Sequence, residues 1–242
     1  MLVALLAMLA FLAPFYVIYK PPHVLIRYFQ YRWSDVLWHV PLRQKTIALT
    51  IDDAPSPFTR DIVALLHQHD AKATFFIIGG QVRGREAHLQ AIVAAGHELG
   101  NHAMHDEPSR SLPAHVLAEQ LVEVESYINA TYADAGAERP PRRLFRPGSG
   151  LFTTLMRQQV RRLGYQMVLG SVYPHDAQIA YPTLNAKHIL SMVRPGSIVV
   201  CHDRRSWTVP MLTKVLPELK RRGYTVTTIS GLLDAKRTEE MG

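Results

Sequence analysis

Between residues 45 and 231 the chain switches repeatedly between short apolar runs and stretches in which apolar residues recur every three or four positions. Thr46 to Ile51 is nearly all apolar and predicts a buried strand, as do Ala73 to Ile78 and Ile198 to Cys201. Thr59 to His69 instead places Ile62, Leu65 and Leu66 on one helical face. Glu86 to Ala95 predicts a helix stopped by Gly96, and Glu98 to Gly100 a short strand after it. Ser111 and Pro113 open a longer helix whose Leu117, Leu121, Val124 and Ile128 keep helical spacing. A loop at Gly136 to Pro141 separates the halves, and the rhythm then repeats. Arg143 to Arg146 and Gln166 to Leu169 read as strands, while Thr153 to Leu163, Leu184 to Val193 and a run from Val209 through Leu219 read as helices. Tyr224 to Ile229 is expected as the last strand. Alternation of this kind predicts an α/β domain with a mostly parallel sheet; periodicity does not choose between a barrel and an open doubly wound sheet.

The N-terminus follows another pattern. Met1 to Tyr19 has no charged side chain and would span about 28 Å as a helix, close to the hydrocarbon thickness of a bilayer. It reads as an uncleaved anchor, with a cleaved signal as the rival; a basic leader and a small-x-small site before Lys20 and Pro21 are both missing. Tyr16, Tyr19 and Lys20 resemble an interfacial belt, and Arg27 and Arg32 on the same side would, by the positive-inside rule, face the cytoplasm. Residues 20–44, with Tyr28, Phe29, Tyr31, Trp33 and Trp38, are too aromatic for a free linker and are expected to pack on the domain or at a membrane surface. The expected catalytic domain is 45–242.

Composition narrows the field. With 242 residues and 48% hydrophobic content the chain can fill one sizeable core. Its +7 charge favours anionic partners such as acidic glycans or lipid headgroups, and no aromatic-basic stripe or zinc-finger spacing points to nucleic acid. Cys201 is the only cysteine, which excludes an intrachain disulfide and a thiolate metal cluster; a buried strand residue is its ordinary reading.

The candidate chemistry sits at predicted strand ends. Thr50-Ile51-Asp52-Asp53-Ala54-Pro55 and His102-Ala103-Met104-His105-Asp106 lie about fifty residues apart and together offer a carboxylate pair and two imidazoles to one divalent ion. Taken alone, two aspartates before Pro55 are equally a turn or a helix N-cap, and the chain's other histidines read as packed or solvated. Read in order, Thr50-Ile51-Asp52-Asp53, His102-x-x-His105, Phe145-Arg146-Pro147-Gly148-Ser149-Gly150, Asp176 and Val200-Cys201-His202-Asp203 resemble the five motifs of the polysaccharide deacetylases, the NodB-like family also called carbohydrate esterase family 4.

This resemblance spans roughly residues 45 to 231 and implies an irregular (β/α) barrel with fewer than eight strands. It implies metal-dependent hydrolysis of the N-acetyl amide of N-acetylglucosamine units in a chitin-like glycan, releasing acetate. Asp53, His102 and His105 would hold the ion, zinc first with cobalt or nickel also fitting. Asp52 would be the general base with Arg146 as its partner, and His202 the acid, oriented by Asp176. The amide of Ser149 would help hold the oxyanion, and Val200 would form a pocket wall. Three positions depart from the family pattern: Ala54 replaces a glycine, Ser149 a tyrosine, and Tyr173-Pro174-His175-Asp176-Ala177 keeps one aspartate of its motif and lacks the tryptophan. The changed pocket admits hydrolysis of another linear amide, and a non-catalytic glycan-binding membrane protein is the reading from a different class.

Overall fold

The computed structural model describes the backbone of residues 1–242 and all side chains except those of residues 2–7 and 9. Helices α1 (Leu2–Tyr19) and α2 (His23–Arg32) precede a two-residue strand β1 (Val36–Leu37). Strands and helices then alternate through β2 (Thr46–Ala54), α3 (Thr59–Gln68), β3 (Ala73–Ile77), α4 (Glu86–Ala94), β4 (Glu98–Asn101) and α5 (Ala114–Asp134). The second half carries β5 (Arg143–Phe145), α6 (Thr154–Arg162), β6 (Tyr165–Val168), α7 (Pro182–Met192), β7 (Ile198–His202), α8 (Thr208–Arg221), β8 (Thr225–Thr227) and α9 (Ile229–Met241).

Every pairing between these strands is parallel, and seven of them run in the order β1-β6-β5-β4-β3-β2-β7. The three-residue β8 lies off that path and pairs with the first residues of β2. All nine residues of β2 are buried, because a strand with neighbours on both edges and layers on both faces has no polar side to show. The sheet curls until its ends meet. Val172, just past β6, bridges Val199 of β7, His39 bridges Ser197, and the Val40 N–H donates to the Gly196 carbonyl at 2.9 Å. The expected irregular barrel is thus formed, its unbroken ladder seven strands long with β8 as an addition.

Alternation along the strands divides the core into two layers. Ile47, Leu49, Ile51, Phe75 and Ile77 face outward to Ile62, Leu66, Leu89, Ile92 and Leu216 of the covering helices. Ala48, Phe76, Leu144, Val168 and Ile198 fill the interior, where Ile229 and Leu232 of α9 join them. Helix α9 was not expected: the strand predicted to run to Ile229 ends at Thr227, and only the first turn of the helix carries buried residues. Glu98 draws that turn onto the barrel, accepting from Thr74 Oγ1 at 2.7 Å and from the Ser230 hydroxyl at 2.5 Å.

The barrel also begins before residue 45. Strand β1 pairs with β6, and Phe29, Trp33 and Trp38 pack with Phe152, so the aromatic segment is part of the folded domain and the expected boundary at 45 cuts through it. Tyr19, at the end of α1, stacks on His175 and meets His188 edge-on. Among the described residues no helix is long and apolar enough to cross a membrane. The anchor expected at residues 1–19 falls in part on residues 2–7 and 9, outside the described side chains.

Closure of the barrel depends on Gly196. Its φ of +81° is a left-handed conformation, and a Cβ there would lie 1.6 Å from the Val40 carbonyl oxygen. Gly196→Ala should therefore destabilise the protein by on the order of 3 kcal/mol, read as a lower denaturant midpoint in an unfolding titration. An unchanged midpoint would remove the seam from the account of closure.

Candidate active site

The C-terminal ends of the strands converge on a cavity of about 580 Å³ lined by Asp52, Asp53, His102, Arg146 and His202, the end at which parallel α/β sheets place their ligands. Two adjacent strand residues normally point to opposite faces. Here the β2–β3 register shifts between Ile51 and Ala54, and Asp53 adopts φ 62°. That irregularity turns both carboxylates into one cavity.

Arg146 is the fixed point of the site. It is 3% exposed, and its Nη1 donates to Asp52 Oδ1 at 2.5 Å and to Thr50 Oγ1 at 2.7 Å. Nε donates to the Val168 carbonyl at 3.2 Å and Nη2 to that of Leu169 at 2.9 Å, with the guanidinium 4.3 Å over the Phe76 ring. Burial pushes the Arg146 pKa down, and the Asp52 carboxylate pulls it back up. One Asp52 oxygen is thereby occupied and the carboxylate is held in a single orientation.

His102 is set by its backbone surroundings. Its Nδ1 lies 2.7 Å from the Arg146 carbonyl, which can only accept, so Nδ1 carries a proton and Nε2 is the nitrogen turned to Asp53. Nε2 is 3.7 Å from Asp53 Oδ1. Burial raises the Asp53 pKa, the His102 and His202 rings oppose that rise, and Asp52 and Asp106 add to it. Arg205 approaches the other Asp53 oxygen at 3.7 Å.

His105 does not join this group. Ala103 is left-handed at φ 64°, and the Met104 carbonyl accepts from the Gly80 N–H at 2.9 Å, so the loop carries His105 out to an exposed position beside Gly80. Three-residue spacing aligns side chains on a helix, and this segment is not one. Asp106, the next residue, lines the cavity instead, with Arg204 3.8 Å from its Oδ2. Among the described residues, no three His, Cys, Asp or Glu side chains stand close enough to form a ready-made cation cluster. Asp53 and His102 do converge, and an imidazole nitrogen beside a carboxylate is donor chemistry that fits a divalent ion.

His202, at the end of β7, pairs with a fully buried Asp176. One Asp176 oxygen faces His202 Nδ1 at 2.9 Å while the other accepts from the His202 N–H at 2.8 Å. Burial by itself would lower the His202 pKa, but the hydrogen bond and charge of Asp176, with Asp52 and Asp53 behind it, raise it to about 9. Trp207 Nε1 donates to the Asp176 carbonyl at 2.8 Å, and the Asp203 N–H donates to that of Asp52 at 2.7 Å, which ties the His202 loop to β2. Ser149, left-handed at φ 63°, and Val200 also line the cavity. Cys201 is buried behind it, and burial pushes its thiol up well above the usual range. His175 points away from the cavity to the Tyr19 carbonyl, 2.9 Å from its Nε2.

Several lining residues were given no role in the site from the sequence, four with charged or aromatic side chains among them. Asp106 and Arg205 adjoin recognised motifs and were discoverable from charge alone. Trp38 and Tyr173 reach the cavity from loops whose pattern carries no periodicity.

The chain is similar to known proteins over most of its length. The sequence profile of the family described as polysaccharide deacetylase matches residues 39–168. The chain is 35% identical over 207 residues to a peptidoglycan-N-acetylglucosamine deacetylase of Bacillus cereus, covering 83% of this chain and 94% of that protein. It is 32% identical to a chitooligosaccharide deacetylase of Bradyrhizobium, covering 75% and 88% respectively. The crystal structure of a pseudoenzyme of carbohydrate esterase family 4 from Bacillus anthracis superposes with a TM-score of 0.74 at 27% identity, covering 83% of this chain and 69% of that one.

The His202–Asp176 pair makes a measurable prediction. Stabilisation from the protonated ring is complete below the unfolded value of 6.5 and is lost as pH rises through about 9. In an NMR titration the His202 ring should report a pKa near 9, and Asp176→Asn should bring it down. A His202 that titrates near 6.5 with Asp176 intact would show that the carboxylate does not hold the proton.

Proposed function

Because the chain belongs to the polysaccharide deacetylase family, we propose that it hydrolyses the N-acetyl amide of N-acetylglucosamine units in a chitin-like or cell-wall glycan and releases acetate. The observation that carries this reading is the opposition, across one cavity, of a carboxylate held by a buried arginine and an imidazole held protonated by a buried carboxylate. Asp52, with one oxygen on Arg146, has its second oxygen free to take a proton from water as the water oxygen attacks the acetyl carbonyl carbon. His202 gives its proton to the amide nitrogen as the carbon–nitrogen bond breaks, leaving acetate and a free amine. The Ser149 amide serves the developing oxyanion, and Val200, Trp38 and Tyr173 wall the space around the acyl group and sugar ring.

Asp53, His102 and a third donor would hold a divalent ion, zinc or else cobalt or nickel, which supplies Lewis-acid activation of water and carbonyl. The third donor would be Asp106, which lines the cavity, in place of His105, which does not; both side chains are exposed. Residues 1–19 would anchor the domain in a membrane, on the extracytoplasmic side where such glycans lie. The basic residues Arg27 and Arg32 argue for the opposite orientation, and mapping of the N-terminus would settle whether the segment is cleaved.

A non-catalytic glycan-binding role keeps one specific support, since the similar fold from Bacillus anthracis belongs to a pseudoenzyme and the Ser149 and Ala177 positions depart from the family pattern. Acetate release from chitooligosaccharides and from peptidoglycan, with added metal, separates the readings. None from either substrate would favour the binding role.

Two substitution series test the assignments. Asp52→Asn should keep bound metal but lower kcat by about 10²-fold or more, because an amide cannot accept the water's proton; near-native turnover would discard Asp52 as base. In elemental analysis Asp53→Ala, His102→Ala and Asp106→Ala should each lose metal while His105→Ala keeps it, all four remaining folded. Loss of metal from His105→Ala alone would restore the original ligand assignment.

A further inference from the structure

A second cavity, of about 240 Å³, lies at the foot of the barrel where the end of α1, the start of α2 and the closing seam meet. Lys20, His23, His39 and Arg194 line it together with serine hydroxyls, and no acidic residue does. The N-terminus of the ten-residue helix α2 opens here without a side-chain cap, so its first amides and the positive end of its dipole add to the field.

His39 points to a ligand independently of these charges. It is only 7% exposed, and its Nδ1 is buried with no hydrogen-bond partner. Burial, then His23 and Arg194, lower its pKa to about 4, so the ring is neutral at pH 7 and holds one proton. A buried ring nitrogen without a partner costs stability unless something fills it, and His39 lines this cavity. A buried imidazole with an unpartnered nitrogen, two long cations and uncapped helix amides thus line a space that suits one phosphate group.

We propose that this cavity binds the phosphate of an anionic lipid headgroup and so fixes the domain against the bilayer surface. The choice of a lipid rests on the reading of residues 1–19 as a membrane anchor: Tyr16 and Lys20, the last turn of α1 and its cap, line the cavity directly. Exposed Phe15, Ile18, Val24 and Tyr28 surround the same junction, an apolar collar of the kind that sits at headgroup level. A phosphate there would be reached by the cations without leaving the interface.

The test uses the full chain in detergent micelles, titrated calorimetrically with dihexanoyl phosphatidylglycerol, dihexanoyl phosphatidylcholine and inorganic phosphate. Phosphatidylglycerol should bind most tightly, and the double variant Lys20→Gln/Arg194→Gln should weaken it about tenfold or more while acetate release from soluble chitooligosaccharides is unchanged. Equal affinity for inorganic phosphate would identify a free-anion site and overturn the lipid assignment. No binding, or binding indifferent to the double variant, would overturn the cavity itself. Carbonate extraction of membranes tests the anchor separately, so a protein that washes off would refute the anchor without touching the titration result.

Discussion

The buried pair of Asp52 and Arg146 is the constraint on which the rest of the site depends. Two charges out of water are tolerated only when hydrogen bonds saturate them, and removing one partner of such a pair typically costs about 3–5 kcal/mol. Arg146 meets the condition by spending its donors on Thr50, Asp52 and the Val168 and Leu169 carbonyls while its face rests on Phe76. One side chain thereby joins β2, β5 and the end of β6. Its own carbonyl accepts from His102 Nδ1, so the same residue also sets the orientation of the imidazole facing Asp53.

A second constraint acts on the other side of the cavity. Asp176 is completely buried, and both its oxygens go to His202, one to the ring and one to the backbone amide. The ring is therefore fixed in place and in protonation by one group. The two groups proposed as base and acid are thus prepared by opposite means: a buried cation keeps the Asp52 carboxylate oriented, and a buried anion keeps the His202 imidazole charged.

How far the chain could be read in advance depends on how local the cause is. Buried strands such as Thr46–Ala54 announce themselves by continuous apolar runs, and α5 by Leu117, Leu121, Val124 and Ile128, because burial acts on consecutive residues. Helix α9 escaped since only Ile229, Ser230 and Leu232 are buried, too few to show a period. Strand β1 escaped because two residues, Val36 and Leu37, make no pattern at all. The aromatic segment around them was recognisable as packed, but not as part of the barrel.

The alternation of strands and helices from β2 to β8, the parallel sheet and the candidates Asp52, Asp53, His102, Arg146, Asp176 and His202 all follow from the sequence, where local periodicity and recognisable motifs carry them. The parting of His105 from Asp106 does not. His105 and Asp106 are neighbours of equal standing as letters and both are exposed, yet past the left-handed turn at Ala103 and the Gly80–Met104 hydrogen bond only Asp106 lines the cavity. The closing seam at Gly196 and the cationic cavity beneath it are likewise invisible in one dimension, because they join residues more than 150 positions apart whose only relation is that the barrel closes.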